Sequence, residues 1–314
     1  MTVRPFVRGD AEAAARVYTR GRPGNPATAA TLLAEDDRQR QAGATHARWV
    51  SEREGQIVGV AEWLEPLGAR RPGSVWLELA VLPEQRGRGL GAALYDTLGT
   101  AMQPLNLRVL RAVASEANPV ALRFAERRGF VEEQRFWDRT LDLAAWTDDA
   151  APLPDLQCLT LPELPAAVPN WEAQLYHVYQ QARQDLPRPE GEPFTPQTLE
   201  QFRHDWLQGA PVRPQDLMVA IREGVVLGFT ALEDSGEPGE QVVAMTAVAR
   251  AARGQGVALA LKRASIGQAR RSGVQRIRTS NHSQNLPMLR VNDRLGFTRE
   301  PARLGLVRHE RGDL

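Results

Sequence analysis

A chain of 314 residues is long for one domain and ample for two, and each half can build its own core. Hydrophobic residues at 42% and charged residues at 25% exclude collagen, coiled coil and whole-chain disorder. A net charge of +1 argues against a partner held through nucleic-acid phosphates, and no apolar run approaches the ~20 residues of a membrane span.

The pattern of apolar residues and turn formers predicts a strand over Val3–Val7, then helices over Ala11–Thr19 and Ala27–Gln41. Strands Ala47–Glu52 and Gln56–Leu64 follow, joined by a Glu54-Gly55 hairpin signal. A strand over Val75–Leu82 runs into a glycine-rich turn, and that turn opens a helix from Gly89 to Met102. Strand Arg108–Ala114, helix Asn118–Arg128 and a last strand from Phe130 to Leu143 complete the series. The order then recurs. Strands are expected at Leu217–Arg222, Val225–Glu233, Val242–Val248 and Gln275–Ser280, with helices at Gly256–Arg271 and Asn285–Leu295.

Landmarks of three kinds hold one spacing of 167 residues: Arg86 returns as Arg253, Asn118 as Asn285, and Gly129-Phe130 as Gly296-Phe297. A duplicated domain follows, with copies at 1–149 and 154–314 around the acidic, proline-bearing segment Asp148–Pro154. The second copy carries extra residues around Asp185–Pro193, too rich in proline for a helix. Cys158 is the only cysteine, so neither an intramolecular disulfide nor a thiolate metal cluster is possible, and no metal is expected. The start, Met1 to Phe6, has no apolar signal core, so a cytoplasmic protein is expected. Of the 39 basic residues only Lys262 is a lysine, and base composition of the genome is the plain reading of that bias.

The glycine-rich turns carry the chemistry. In Arg86-Gly87-Arg88-Gly89-Leu90-Gly91-Ala92 and Arg253-Gly254-Gln255-Gly256-Val257-Ala258, a strand turns into a helix. Glycine lets the backbone approach a ligand, and N–H groups at a helix start form a nest for phosphate. GxxxxGK[ST] is absent, which removes a P-loop. A dinucleotide fingerprint fits poorly, because a hairpin-containing run of strands precedes the turn and Leu259 ends the second copy's pattern. Asn118 and Asn285 are good N-caps before Pro119 and Leu286, and Gly129 and Gly296 are good helix ends. These residues serve equally as caps alone or as caps beside a ligand.

Together, Arg86–Gly91 with Asn118 and Gly129-Phe130, and Arg253–Ala258 with Asn285 and Gly296-Phe297, resemble the GNAT acetyltransferase superfamily over nearly the whole chain, twice. The layout is similar to that of tandem members of the mycothiol synthase type. The resemblance implies an α+β fold: two tandem acyl-CoA N-acyltransferase domains, each a mixed, mostly antiparallel sheet flanked by helices. It implies acetyl-CoA as the acyl donor. The pyrophosphate would lie on Arg86, Gly87, Arg88, Gly89, Leu90, Gly91 and Ala92, and on Arg253, Gly254, Gln255, Gly256, Val257 and Ala258. The pantetheine arm would pair with backbone at Leu79, Ala80 and Val81, and at Ala247 and Val248, beside Asn118 and Asn285.

The implied reaction is direct attack of an amine on the thioester, with a small-molecule primary amine as acceptor. Neither a membrane nor a nucleic acid is expected as partner, and the assembly would be a monomeric pseudo-dimer or a homodimer. Glu78 and His282 are the candidate bases, with Glu62, Glu233 and Asp234 behind them; Met245 stands where the second copy would match Glu78. Many members of the superfamily place a Tyr seven residues after the Asn, but here Ala125 and Asn292 hold those places, so the usual acid is missing from both copies. Tyr95 reads as packing. The competing readings are an acetyl-CoA-binding module with one or both lobes inactive, and a protein N-acetyltransferase.

Overall fold

The computed structural model describes every residue except 23–26, 68–72, 149–150, 189–193, 209–211 and 311–314. Asp149 and the stretch 189–193 of the proline-rich insertion therefore lie outside the described residues. The chain divides into two compact units: unit 1 is Met1–Glu133 with Leu304–Leu314, and unit 2 is Gln134–Arg303.

Unit 1 holds β1 (Thr2–Pro5), α1 (Ala11–Gly21), α2 (Ala29–Gln41), β2 (His46–Arg53), β3 (Gln56–Leu64) and β4 (Ser74–Val81). It continues with α3 (Leu90–Met102), β5 (Val109–Ser115) and α4 (Pro119–Glu126). Ala11, Ala14, Ala15, Val17, Tyr18 and Gly21 are the buried stripe of α1, at the spacing of one helical face. Gly21 ends α1 so close to the sheet that a Cβ there would meet Ala80 Cβ at 3.0 Å. β1 to β4 pair antiparallel in sequence order, and β4 pairs parallel with β5.

Unit 2 begins with most of β6 (Val131–Asp142), then β7 (Gln157–Thr160), α5 (Leu164–Ala167), α6 (Trp171–Asp185) and α7 (Leu199–Phe202). β8 (Leu217–Arg222), β9 (Val225–Asp234), β10 (Glu240–Val248), α8 (Val257–Arg271), β11 (Arg276–His282), α9 (Leu286–Arg294) and β12 (Thr298–Arg299) follow, and β13 (Arg303–His309) returns the chain to unit 1. β7 to β10 are antiparallel neighbours, β10 and β11 are parallel, and β11 is antiparallel to β6. One face is closed by an aromatic core that includes Tyr179, Phe202 and Phe229, with Tyr176 and Trp206 packed against it. On the α8 face, Leu141, Leu232, Ile266, Ile277 and Phe297 form a second cluster.

The units do not coincide with the two sequence copies. The last strand of the first copy, β6, lies beside β11 of the second, while β13 of the second lies beside β5 of the first. A repeat spacing aligns two copies of a motif, but does not say which sheet a terminal strand joins. The cuts at Glu133 and Arg303 are thus offset from the linker expected near Asp148–Pro154.

Candidate active sites

Each unit carries the glycine turn at the start of a long helix. Gly87, Gly89, Gly254 and Gly256 all have positive φ, between 74° and 82°. At Gly87, Gly89 and Gly254 a Cβ would meet nothing within 4 Å, so conformation rather than space calls for glycine there. The first bond back into α3 runs from the Ala93 N–H to the Gly89 carbonyl (3.0 Å), which leaves Leu90, Gly91 and Ala92 N–H without a helical acceptor. In α8 the equivalent bond is Ala260 N–H to Gly256 carbonyl (3.1 Å), leaving Val257, Ala258 and Leu259. Both nests fit a pyrophosphate by their donors and the helix dipole.

The arginines of the turns divide the work. Arg86 folds back and donates to the Val81 (3.2 Å) and Gly21 (3.1 Å) carbonyls, bracing β4 and α1. Arg253 does the same on the Val248 carbonyl (3.1 Å) and pairs with Asp185 (2.6 Å), the last residue of α6. Asp185 also pairs with Arg250, and these guanidinium groups, Arg250 first, hold its carboxyl down to about 2. Only Arg88 is exposed with no carboxylate partner among the described residues. Asn118 caps α4 through the Ala121 N–H (3.1 Å), and Asn285 caps α9 through the Met288 N–H (3.3 Å).

Beyond each turn the two parallel strands diverge. β4 and β5 are paired only from Ser74↔Val109 to Trp76↔Arg111, and β10 and β11 only from Glu240↔Arg276 to Val242↔Arg278. Leu79, Ala80 and Val81 in unit 1, and Ala247 and Val248 in unit 2, lie past that point, so their edges face the gap. The gaps differ in one respect. The β9–β10 register slips between Val243 and Met245, a bulge at the mouth of the gap, whereas β3 and β4 stay in register from Leu64↔Trp76 to Gly59↔Val81. A bulge leaves a residue out of the ladder and re-aims its N–H.

The carboxylates also differ. In unit 1, Glu62 accepts from Tyr18 (2.6 Å), His46 (3.0 Å) and Arg48 (2.6 and 2.9 Å), and Arg48 also pairs with Asp36 (2.9 Å). Burial alone would raise Glu62, but His46, Arg48 and Tyr18 together hold it at about 2. Glu78 is raised by burial, yet the Arg22 guanidinium, stacked over Tyr18 at 4.0 Å, is bonded to it. In unit 2, Glu233 sits on β9 opposite Val242, and burial raises its carboxyl. It has no hydrogen bond or ion pair among the described residues. His282 accepts the Gln284 N–H on Nδ1 (3.1 Å), which places its ring proton on Nε2; burial lowers it. Asp234 is two-thirds exposed near Arg213 (3.6 Å). Cys158 is pushed up to about 11 by burial, so its thiol stays protonated.

The family model for the acetyltransferase (GNAT) family matches twice, over residues 14–130 and 175–297. The chain belongs to the GNAT family. Two solved structures share the fold along the whole length of this tandem GNAT protein. A GCN5-related N-acetyltransferase from Sphaerobacter thermophilus is 20% identical, with a TM-score of 0.75 over all of this chain and 96% of that one. A tandem GNAT protein from the clavulanic acid biosynthesis pathway is 19% identical, with a TM-score of 0.72 over 99% of each chain. No curated protein matches significantly by sequence. GNAT proteins use acetyl-CoA and act on amines, so this one is an acyltransferase enzyme, an acyl-CoA N-acetyltransferase. No helix among the described residues is long and apolar enough to cross a membrane.

Three features of the GNAT sites escape the motifs: the bulge in β10, the isolation of Glu233, and the pairing of Glu78 with Arg22. The first follows from strand register and the others from tertiary contacts. A cavity of about 630 Å³ on unit 2, lined by Gln174, His177, Gln181, Arg222 and Gln255 among others, lies at the hairpin end of β9 rather than at the bulge.

Proposed function

We propose that this GNAT protein moves the acetyl group of acetyl-CoA to a small-molecule primary amine, and that transfer takes place in unit 2. The observation that carries the reading is the bulge between Val243 and Met245, at the point where β10 leaves β11. A pantetheine arm laid along the free edges past Val242 and Arg278 brings its thioester to that bulge, where a re-aimed N–H is placed to accept charge on the carbonyl oxygen. The pyrophosphate rests on the N–H groups of Val257, Ala258 and Leu259. The amine nitrogen attacks the carbonyl carbon, the C–S bond breaks and its electron pair stays on sulfur. Glu233, raised by burial and two positions along β9 from the bulge's partner Ala231, takes the amine proton through a water. His282 is the weaker candidate, since the Nδ1 lone pair is already used by Gln284.

In unit 1 the acyl-donor surface is kept, but Arg22 stands on Glu78, and Glu62 is fully engaged by cationic and hydroxyl donors. This favours unit 1 as a lobe that holds acetyl-CoA without turning it over. Calorimetric titration of acetyl-CoA, followed by thiol-release assays over polyamines, amino acids, aminoglycosides and peptides, tests both statements. The reading expects two binding sites and turnover with a small amine. No binding heat, or turnover with peptides only, contradicts it.

A further inference from the structure

The chain's single lysine is buried where a charge is least expected. Lys262, on the second turn of α8, is 3% exposed and has no carboxylate partner among the described residues. Its Nζ donates to Asn292 Oδ1 on α9 (2.7 Å) and lies 4.9 Å from the centre of the Phe297 ring. Asn292 is fully buried, and its Nδ2 donates to Asn281 Oδ1 on β11 (2.6 Å). The direction of this chain is forced, because an ammonium group can only donate. Asn292 must turn its oxygen to Lys262 and its NH2 to Asn281, so the Asn281 NH2 is the end left to donate outward.

Asn281 itself stands beside the gap. Asn281 is partly exposed and lies three residues past Arg278, the last β11 residue paired with β10. Across the gap Thr246 stands four residues past Val242, its hydroxyl 2.8 Å from Thr230 on the same sheet face. At the 167-residue spacing the first copy has Tyr95, Ala125 and Ala114 in place of Lys262, Asn292 and Asn281, and the Tyr95 hydroxyl is taken by Arg308. Among the described residues the chain of donors exists in unit 2 alone.

We propose that Lys262, Asn292 and Asn281 form a charged donor chain that stabilises the departing CoA sulfur as a thiolate in the gap of unit 2. The inference rests on acetyl-CoA lying in that gap. When the amine attacks and the C–S bond breaks, sulfur keeps the electron pair and no proton needs to reach it. Asn281 is the contact to sulfur, and Asn292 and Lys262 are positioning residues that orient and polarise it. Burial, with the Arg139 charge on β6 beside it, pushes Lys262 down to about 7. Arg139 is itself paired with Asp293 on α9. A thiolate forming in the gap favours the charged form of Lys262, the form whose donation fixes the direction of the chain.

The test uses the full chain carrying Gly89→Asp, which leaves unit 2 as the binding lobe. Free CoA is bound, and ionisation of its thiol is followed by ultraviolet thiolate absorbance across pH. The expected result is a thiol that ionises at least about one pH unit below that of free CoA. Lys262→Met should abolish that shift, keep acetyl-CoA affinity within about threefold, and not lower the melting temperature, because it replaces a buried charge by an apolar chain of similar length. Asn281→Ala, at a partly exposed site, should abolish the shift as well. A bound thiol that ionises alike in the Lys262→Met protein and its parent overturns the donor chain while leaving the CoA site standing. Failure to bind CoA or acetyl-CoA at all overturns both.

Discussion

Units 1 and 2 are built from the same order of strands and helices and the same glycine turn, yet they spend polar residues in opposite places. Unit 1 concentrates charge on the α1 face of its sheet, where Tyr18, Asp36, His46, Arg48 and Glu62 satisfy one another. Unit 2 covers the matching face with Tyr179, Phe202 and Phe229, leaves the Glu233 carboxyl without a partner among the described residues, and buries its lysine behind Asn292 and Asn281. A polar network that satisfies itself adds rigidity but has no proton or charge left for a substrate. Duplication thus preserves the glycine turn and the diverging parallel strands in both lobes while the side chains around them diverge.

The largest effect that separates the lobes is expected at Glu233. Glu233→Gln should lower kcat by about 10²–10⁴-fold with acetyl-CoA affinity intact, whereas Glu78→Gln should leave kcat within about twofold. A base must be deprotonated, so activity should fall as pH drops through a value above the ordinary carboxylate range, and Glu233→Gln should remove that acid limb. Equal losses from the two variants would erase the contrast between the lobes.

A stability effect of the opposite assignment is expected at Glu62. Replacing it by Gln leaves Arg48 and His46 with Asp36 as their one carboxylate in the interior, at a cost of about 3 kcal/mol. Denaturant unfolding of unit 1 would show it, with turnover by the folded fraction unchanged. Because the folded-state value of Glu62 is depressed to about 2 from 4.5, its contribution is present above pH 4.5 and is lost as pH falls toward 2. A Glu62→Gln protein as stable as its parent at neutral pH would contradict the network's role. The smallest effect belongs to Arg22→Ala, which releases Glu78. Its carboxyl should titrate higher still, by proton NMR or infrared, without adding turnover. Gained turnover would show that Arg22 silences an otherwise competent lobe.

Most of the frame was legible. Strands such as Gln56–Leu64 and Leu217–Arg222 have the bounds their apolar runs and flanking turn residues suggested, and Asn118 and Asn285 are the helix caps their chemistry implied. Those features are local, and local propensity writes them into a short window. The exchange of β6 and β13 was not legible, because it depends on which sheet edge is free when the strand arrives. Nor was the bulge, since Val243-Ala244-Met245 carries no glycine or proline to mark it. Nor was the bracing of the turns by Arg86 and Arg253, since a guanidinium can grip a carbonyl as readily as a phosphate. Lys262 was visible as the lone lysine. Its burial follows from Asn292 at the position of the missing acid, a contact that spans 30 residues of sequence.

The account stands on unit 2 as the place of transfer, and one paired measurement addresses that directly. Acetyl-CoA-dependent thiol release is compared for Gly256→Asp and Gly89→Asp, with binding stoichiometry measured on each. Each substitution forces a side chain and a negative charge onto a positive-φ position of one phosphate nest. The account predicts that each variant loses one of two binding sites, that Gly256→Asp loses at least about 100-fold in turnover, and that Gly89→Asp stays within about threefold. Turnover lost with Gly89→Asp and kept with Gly256→Asp would contradict it.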